Sequence, residues 1–562
     1  MKDPPLTCPP IASSSDLPDG PRNGHRTGYK SGRRTAHPFR APPAVVVATD
    51  KPSGPASIAA LRAAVLHGIE PPPARSIASR ASYRWLIVGT VCIGAFMGQV
   101  DSSITQLLLP LLEAQFDASL STVSWVAVAY LLTMAAFLPI FGRLADMMGR
   151  KLLYTGGFLL FVLGSGLCGL APSLPVLIGF RVLQAIGAAL LSSNSVAIVV
   201  AAAGDELRGR ALGIQAAAQA VGLSAGPAIG GLVLDWLDWH WVFWINVPVG
   251  LAGTVLGWLV LAPTSGLPDK ASFDWKGAML IAPALTAAVA VLNEGYAWGA
   301  TSPLMLGLAA LAVLLLTLFV RAERRAQDPL IDLKLFGRRA FSAGSLAGLL
   351  AYAALFGLFF LMPFVFMRAY RDSALAAGLR LCIVPVMIGV VAPMAGALYD
   401  SIGARWPTVL GMLVCIGACV MLGITLDGAR DGLPLVMLGL AVFGAGQGLF
   451  ISPNNSAIVA AAPARLTGEA GDLVNVMRSC GVSIGVAAAS SLLAWRLAAL
   501  TGSGLSTLHA DAAQLLCASR DVIAVLGGLA AIAGAVSLAQ TQPACSRRRG
   551  GKIREPSSRS GP

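Results

Sequence analysis

Two charged side chains inside long apolar stretches are the first candidates for chemistry in this sequence. Asp101 follows an uncharged stretch at 85–100, and Arg181 lies within another apolar stretch. A carboxylate in a cavity of low dielectric constant suits reversible protonation, and it could also bind a cationic substrate directly. A guanidinium inside an apolar span costs at least about 2.5 kcal/mol and should face a cavity or a partner. We predict that Asp101 takes up and releases protons; for both residues the alternative is a structural role between helices.

Further polar residues in the apolar stretches, one of them charged, are candidates for lining a cavity. Gln184 follows Arg181 by three positions, which places both close to one helix face. Two asparagines follow Pro453, so they could equally bind the backbone groups that this proline frees. Arg478 precedes two glycines four residues apart, which favours close helix packing beside a polar partner. The residues predicted to line a substrate cavity are Gln106, Gln184, Asn194, Gln447, Asn454, Asn455 and Arg478.

Composition indicates which kind of element holds these residues. The chain has 562 residues, 56% of them apolar and 12% charged, so its apolar side chains exceed what a water-soluble core can hide. The net charge of +13 does not indicate nucleic acid, because the basic residues concentrate in both tails and in alternate loops. The nine cysteines are scattered and odd in number, which argues against a disulfide framework and a metal site. We expect a protein embedded in a lipid bilayer, with no metal and no cofactor.

The apolar stretches divide into fourteen segments of membrane-spanning length. A bilayer core about 30 Å thick needs about 20 apolar residues per helix. The alternation of basic loops favours an even number of spans with both termini in the cytoplasm. The expected location is the plasma membrane or a bacterial inner membrane. Twelve spans remain possible if the seventh and eighth do not both cross. The predicted spans are 85–112, 122–141, 152–170, 174–202, 207–234, 241–261, 275–293, 303–321, 341–367, 376–399, 407–427, 433–460, 470–498 and 520–540.

A repeated loop indicates two similar halves. The loop after the second span and the loop after the tenth both carry Gly, Asp and Gly at the same spacing, followed by a base. Such charges at helix ends can form a breakable network at an inner gate; the alternative is an ordinary basic loop. Ala404 stands where the first copy has Arg150, so we expect a weaker second network. The predicted gate residues are Gly142, Arg143, Asp146, Gly149, Arg150 and Lys151 in the first loop, and Gly396, Asp400, Gly403 and Arg405 in the second.

The repeat also predicts the domain organisation. Two lobes of six spans each would enclose a cavity at the middle of the membrane, with two further spans inserted between the lobes. Tails rich in Pro, Arg and Ser without a long apolar run are typical of disorder. The predicted segments are a disordered cytoplasmic arm at 1–84, a first lobe at 85–261, a linker with two extra spans at 262–340, a second lobe at 341–540 and a disordered tail at 541–562.

Several of these patterns resemble those of the major facilitator superfamily. The loop around Asp146 resembles the signature loop of the family, and residues 100–110 resemble the first-helix motif of its fourteen-helix drug:proton antiporters. Arg181 stands in a pattern similar to R-x-x-Q-G, whose arginine is linked to proton coupling in that family, with Ala185 in place of the last glycine. The resemblance implies an all-α fold of two six-helix lobes plus two inserted helices. A pattern similar to the antiporter motif of the family is formed by Gly222, Gly226, Pro227, Gly230 and Gly231.

The resemblance implies a transporter that exports drugs or amphipathic compounds in exchange for protons. Protonation of Asp101, tuned by Arg181, would alternate with substrate binding. The sequence lacks a G-x-x-x-x-G-K-[ST] loop, so an ion gradient is the expected energy source. There are two alternatives: an exporter or symporter of one metabolite, and a non-transporting sensor or scaffold. An enzyme is not expected, because the sequence shows no pairing of a nucleophile with a base. We expect a monomer whose partners are small molecules, protons and lipid, with a periplasmic adaptor protein as a further candidate.

Overall fold

The computed structural model describes residues 70, 72–73, 75–80, 82–264, 273–299, 301–463, 466–502 and 506–540. These residues form helices joined by short connections, and no strand occurs among them. The predicted tail and residues 1–69 of the predicted arm lie outside this part of the chain. The end of the arm contains a short helix, Arg75–Ala78, and the buried side chain of Glu70.

Within the described residues, fourteen helices are long and apolar enough to cross a membrane, which confirms the predicted number of spans. Each overlaps one predicted span, and several continue past it because polar residues prolong the helix beyond the apolar segment. We number these helices α1 to α14. Their bounds are Tyr83–Phe116, Leu120–Met148, Arg150–Cys168, Leu174–Gly204, Glu206–Trp236, Trp241–Val260, Trp275–Glu294, Pro303–Glu323, Arg339–Ala369, Ala374–Ile402, Arg405–Thr425, Arg430–Ala461, Thr467–Thr501 and Ala512–Leu538.

Local chemistry explains where several helices begin and end. The Ser119 hydroxyl accepts a hydrogen bond from the backbone N–H of Thr122 at the start of α2, which satisfies a free helical donor. Gly149 separates α2 from α3 with a φ of 107°, and Gly204 separates α4 from α5 with a φ of 69°. Glycine has no Cβ, so it adopts these angles without a steric penalty. The chain therefore reverses direction within one or two residues at both points.

The helices pack as two lobes, as the family resemblance implies. In the first lobe, α1 and α3 pack on the α4–α5 pair and on α6. In the second, α9 packs on α13 and α14, and α12 packs on α10 and α11. The lobes meet where α2 contacts α13 and where α10 contacts the α4–α5 pair. We call the helix ends joined by Gly149, Gly204 and Gly403 the inner end of the molecule, and the opposite ends the outer end.

The two inserted helices lie beside the boundary between the lobes. Helices α7 and α8 pack on each other, and α7 also packs on α2 and α13. At the outer end of α7, Asn293 accepts a hydrogen bond from the Ser124 hydroxyl at 2.7 Å, and Glu294 accepts one from the Trp125 indole at 2.7 Å. These bonds fix α7 to α2 through the last polar residues of its apolar segment.

Candidate functional site

A buried ion pair joins the middle of α1 to the first third of α4. Arg181 Nη1 donates to Asp101 Oδ2 at 2.7 Å, and the two side chains are 1% and 0% exposed. Gln184 Nε2 donates to the other carboxylate oxygen at 2.8 Å, and Asn246 Nδ2 of α6 donates to the same oxygen at 3.2 Å. Both oxygens of Asp101 accept hydrogen bonds, which is the pattern expected of an ionised carboxylate. The two charged residues that the sequence singled out are therefore in direct contact.

Two further hydrogen bonds hold the guanidinium in place. Arg181 Nε donates to the carbonyl oxygen of Val126 on α2 at 3.1 Å, and Nη1 also donates to Gln184 Oε1 at 2.7 Å. Helix α3 comes close enough to confine Gln184 because Gly164 has no side chain: a methyl group there would lie 2.6 Å from Gln184 Cα. The pair thus depends on four helices, α1, α2, α4 and α6, with α3 behind them.

Tyr130 on α2 connects this ion pair to a cavity. The guanidinium carbon of Arg181 lies 4.1 Å from the centre of the Tyr130 ring, a distance typical of a cation–π contact. The Tyr130 hydroxyl is buried and has no hydrogen-bond partner among the described residues. The same side chain lines the central cavity. A molecule in the cavity that contacts Tyr130 is therefore one side chain away from Arg181.

The central cavity has a volume of about 180 Å³ and is bounded by both lobes. Helices α1 to α5 contribute to it from the first lobe, and α9, α10, α12 and α13 from the second. Its aromatic walls are Tyr130, Phe161, Tyr352 and Phe356. Its uncharged polar lining consists of Gln99, Ser102, Ser192, Ser195, Gln219 and Ser479, and its charged residue within the described chain is Arg478. An apolar cleft with a few polar groups is the usual form of a site for small organic molecules.

The lobes are joined on the outer side of this cavity. Glu113, near the outer end of α1, accepts hydrogen bonds from the Ser506 hydroxyl at 2.8 Å and from the backbone N–H of Thr507 at 2.6 Å. Arg368 at the end of α9 donates to the carbonyl oxygen of Pro110 at 3.0 Å. These bonds connect α1 to two parts of the second lobe. The two lobes are therefore in direct contact at their outer ends.

The predicted antiporter-type motif packs α5 against α1. A methyl group on Gly222 would lie 2.6 Å from the carbonyl oxygen of Phe96, and one on Gly226 would overlap with the Ser103 hydroxyl. Gly230, four residues further along, packs in the same way on an isoleucine of α1. Glycine at every fourth position forms a smooth face that lets two helices approach closely. This face brings α5 beside the segment of α1 that carries Asp101.

The rest of the motif packs α5 against α10, across the boundary between the lobes. A methyl group on Gly231 would lie 2.6 Å from the carbonyl oxygen of Ala374. A methyl group on Gly378 of α10 would overlap with the carbonyl oxygen of Pro227. The close fit of the two lobes at this point thus requires a glycine on each side.

The first predicted gate loop forms ion pairs at the inner end. Arg150 donates to Asp146 at 2.8 Å, and Arg143 lies 3.2 Å from Asp328 in the connection between α8 and α9. Gly142 faces the second lobe, since a methyl group there would lie 3.8 Å from Asp472 of α13. The first gate loop therefore joins the inner ends of α2 and α3, and it also contacts the connection between α8 and α9.

Glu70 ties the same loop to the chain before α1, a contact that the sequence analysis missed. Its carboxylate accepts hydrogen bonds from the backbone N–H groups of Leu152 at 2.9 Å and Thr264 at 2.8 Å. The buried Lys151 lies beside it, with its ammonium 5.9 Å from the Trp258 ring. A single acid in a Pro-rich segment carries no sequence pattern that would have identified this role.

The second predicted gate loop pairs its charges differently. Gly403 turns the chain between α10 and α11 with a φ of 80°, as Gly149 does in the first loop. Asp400 is exposed and forms no ion pair with any residue that the structure describes. The Arg405 guanidinium carbon lies 5.6 Å from the Trp406 ring, and Gly396 packs beside α12. The second loop thus lacks the Asp–Arg pair of the first, as expected from the alanine that replaces its first arginine.

The residues predicted to line a substrate cavity lie in different places. Arg478 lines the central cavity, and Gln184 belongs to the ion-pair cluster. Gln106 is fully buried, and neither atom of its amide has a hydrogen-bond partner in the described part of the chain. Asn194 bonds to the carbonyl oxygen of Leu190 on its own helix at 2.8 Å. Of these four, Arg478 alone borders the cavity.

The three amides predicted on α12 lie away from the cavity as well. Gln447 donates to Ala351 at 3.2 Å and Asn454 donates to Gly344 at 3.1 Å, so both link α12 to backbone carbonyls of α9. Asn455 borders a separate surface depression near Thr467. Sequence reasoning missed Tyr130 and Asn246, although each is a polar side chain within an apolar span.

Fourteen membrane-length helices in two lobes, with a cavity between them and an ion pair beside it, define a membrane transporter of small molecules. The sequence model of the Major Facilitator Superfamily matches residues 91–486. The chain therefore belongs to the major facilitator superfamily, and it is a multi-pass membrane protein.

Curated relatives and solved structures agree with this assignment. The riboflavin transporter RibZ of Clostridioides difficile is 34% identical over 415 residues, which are 74% of this chain and 89% of that protein. The tetracenomycin C resistance and export protein of Streptomyces glaucescens is 32% identical over 431 residues, or 76% and 79% of the two chains. A bacterial homologue of the human lysosomal transporter Spinster has a TM-score of 0.58 at 16% identity, covering 82% of this chain and 98% of that one. This last likeness concerns the fold alone.

Proposed function

We propose that this protein exports small organic molecules in exchange for protons that enter the cell. The observation that carries the proposal is the buried Asp101–Arg181 pair, separated from the central cavity by the Tyr130 side chain. Ionisable residues inside a membrane domain mark ion pathways. Relatives named for multidrug resistance and for tetracenomycin C export support outward transport.

The inner end of the molecule faces the cytoplasm in this proposal. Basic residues at that end, among them Arg143, Arg150 and Lys151, fit the rule that positive charges stay on the cytoplasmic side. The outer contacts of Glu113 and Arg368 then correspond to a state closed toward the outside of the cell. The ion pairs of the first gate loop would form and break as the inner end closes and opens. One chain supplies both walls of the cavity, so we propose a monomer.

Coupling follows from the side chains that substrate and proton share. With Asp101 ionised, Arg181 is held by it and lies under the Tyr130 ring. A proton on Asp101 removes the opposite charge, so Arg181 shifts toward its neutral acceptors, and Tyr130 moves with it. Substrate in the cavity contacts Tyr130 and thereby favours the arrangement in which Asp101 carries no proton. Substrate and proton thus occupy the protein alternately, which is the requirement for antiport.

The test is accumulation of substrate in inside-out vesicles with an acidic lumen. Riboflavin, tetracenomycin C and ethidium are the first compounds to measure, and each is followed with and without the ionophore nigericin, which collapses the pH gradient. The wild-type protein should accumulate at least one of them only while the gradient lasts. Asp101→Asn should abolish this accumulation, and the control Asp235→Asn, at an exposed carboxylate near the outer end of α5, should not. Equal accumulation by the Asp101 variant would refute the proposal.

A transporter dedicated to one metabolite is the second candidate, because a relative with 34% identity is named a riboflavin transporter. Competition in the same vesicles separates the two functions. A dedicated transporter would accumulate one compound, and unrelated compounds would not inhibit it. A multidrug exporter would show mutual inhibition among chemically different compounds.

A further inference from the structure

The charges around the central cavity are unbalanced. Among the described residues that line the cavity, Arg478 of α13 is charged, and none carries a carboxylate. Asp101 is fully buried, does not line the cavity and is already paired with Arg181. A molecule in the cavity therefore meets a positive charge, and it meets no opposing negative one.

Arg478 lies well inside α13, and it differs from three other arginines of the spans because it has no partner among the described residues. Arg181 pairs with a carboxylate and also contacts a carbonyl oxygen, a side-chain amide and two aromatic rings. Arg368 binds a carbonyl oxygen, and Arg496 of the same helix as Arg478 pairs with Asp521. For Arg478 no hydrogen bond or ion pair is formed with any residue in the described ranges. A guanidinium left without a partner inside a membrane domain is unfavourable, so such a residue generally serves a ligand or an ion.

A second unpartnered polar group borders the cavity from the opposite lobe. The Tyr130 hydroxyl is buried, its side chain is 1% exposed, and it lacks a hydrogen-bond partner in the described structure. Tyr352 and Phe356 add aromatic surface from the second lobe. The cavity thus combines a free guanidinium, a free phenol and ring-stacking walls. Guanidinium binds carboxylate, sulfonate and phosphate groups through parallel hydrogen bonds, and aromatic walls favour flat apolar bodies.

We propose that the cavity selects aromatic organic anions, with the acidic group of the substrate on Arg478 and its ring against Tyr130, Tyr352 and Phe356. This inference rests on the proposed transport function and narrows it to a substrate class. Binding of the acid joins a residue of the second lobe to one of the first. It also places the substrate directly on the tyrosine that covers Arg181.

The test is equilibrium dialysis of the purified full chain in lipid nanodiscs with three naphthalene compounds of similar size. The probes are 2-naphthoate, neutral 2-naphthamide and cationic 2-naphthylmethylamine. We expect 2-naphthoate to bind at least tenfold more tightly than the other two. Arg478→Gln should weaken 2-naphthoate at least tenfold and change 2-naphthamide less than twofold, and Arg478→Lys should restore most of the affinity. Arg496→Gln, which breaks an ion pair at the outer end of the same helix, is the matched control.

Two outcomes would overturn the proposal. One is that wild-type protein binds 2-naphthoate no better than the amide or the amine, a result that does not depend on any variant folding. The other is that Arg478→Gln, shown to be monodisperse by gel filtration, keeps the preference for the anion. Asp101→Asn should retain this preference, because the carboxylate lies outside the cavity lining. The wild-type protein could also fail to accumulate substrate in the vesicle assay while Asp101→Asn keeps its preference for the anion. In that case the proposed proton-coupled transport is wrong and the anion site stands.

Discussion

In the Asp101–Arg181 pair, each buried charge is stabilised by the other. Desolvation of two ions opposes their mutual attraction, so replacing both by neutral groups is often nearly neutral, whereas removing one leaves an uncompensated buried charge. Hydrogen bonds from Gln184 and Asn246 to Asp101 satisfy the carboxylate further. The same arrangement makes a single protonation of Asp101 a large local change, which is what a coupling site requires.

A double-mutant cycle measures this dependence. We expect Arg181→Gln or Asp101→Asn alone to lower the free energy of unfolding by about 3 to 5 kcal/mol, because each leaves one buried charge without its partner. The double variant should be more stable than the less stable of the two single variants. Chemical denaturation in detergent micelles measures the free energy of unfolding of each of the three variants relative to the wild type. Losses that simply add would show that the two side chains act independently.

The sequence identified the members of this pair but not their contact. A charge in an apolar span stands out, so Asp101 and Arg181 could be selected individually. They are 80 residues apart, and their contact depends on how α1 and α4 are rotated about their axes, which two isolated charges do not specify. The amides of α12 were harder to assign, because Gln447 and Asn454 bond to helix backbones and not to the cavity.

At the scale of helices, glycine determines how closely α5 approaches its neighbours. One face of α5 packs on α1 within the lobe, and Gly231 and Pro227 meet α10 across the lobe boundary. Contacts within a lobe persist if lobes move as units, whereas contacts across the boundary form and break during alternating access. The contact of Gly378 with Pro227 is therefore expected to control closure of the outer side.

Gly378→Ala tests this expectation against Gly389→Ala on the same helix. The first methyl group would overlap with the Pro227 carbonyl oxygen, whereas nothing lies within 4 Å of the second. We expect the Gly378 variant to transport at least tenfold more slowly in the vesicle assay, since a barrier to closure of that order needs only about 1.4 kcal/mol. The Gly389 variant should remain near the wild-type rate. Similar rates for both variants would argue against the lobe contact as a determinant of closure.

The elements themselves were largely predictable, because length and apolarity determine a membrane span. All fourteen predicted spans correspond to helices. The spacing of Gly222, Gly226 and Gly230 also indicated a closely packed face. It did not indicate that Gly231 contacts a different helix, because that depends on the arrangement of the two lobes.

For the whole molecule, the repeated loop indicated two lobes, and packing added the position of the inserted pair. The sequence shows that α7 and α8 lie between the lobes along the chain, but not that α7 packs on α2 and α13. That position depends on a few polar contacts at the end of α7, such as the bond from Ser124 to Asn293. The structure also adds Glu70 to the inner end.

Membrane orientation is testable with reporter fusions. Positive residues at the inner end predict that this end is cytoplasmic. Alkaline phosphatase fused after Asp117, in the connection between α1 and α2, should be active, and the same enzyme fused after Gly149 should be inactive. Green fluorescent protein at the C-terminus should fluoresce, because an even number of spans returns the chain to the cytoplasm. The reverse pattern of activities would require the opposite direction of transport.

The most direct test of the central claim is a count of protons released from the purified protein when substrate binds. Protein in weakly buffered detergent solution receives the compound that accumulates most strongly in vesicles, and a pH-indicator dye reports the release. At acidic pH we predict about one proton per bound molecule for the wild type, because binding favours the state with Asp101 ionised, and none for Asp101→Asn. Equal release by the two proteins would show that Asp101 does not carry the exchanged proton.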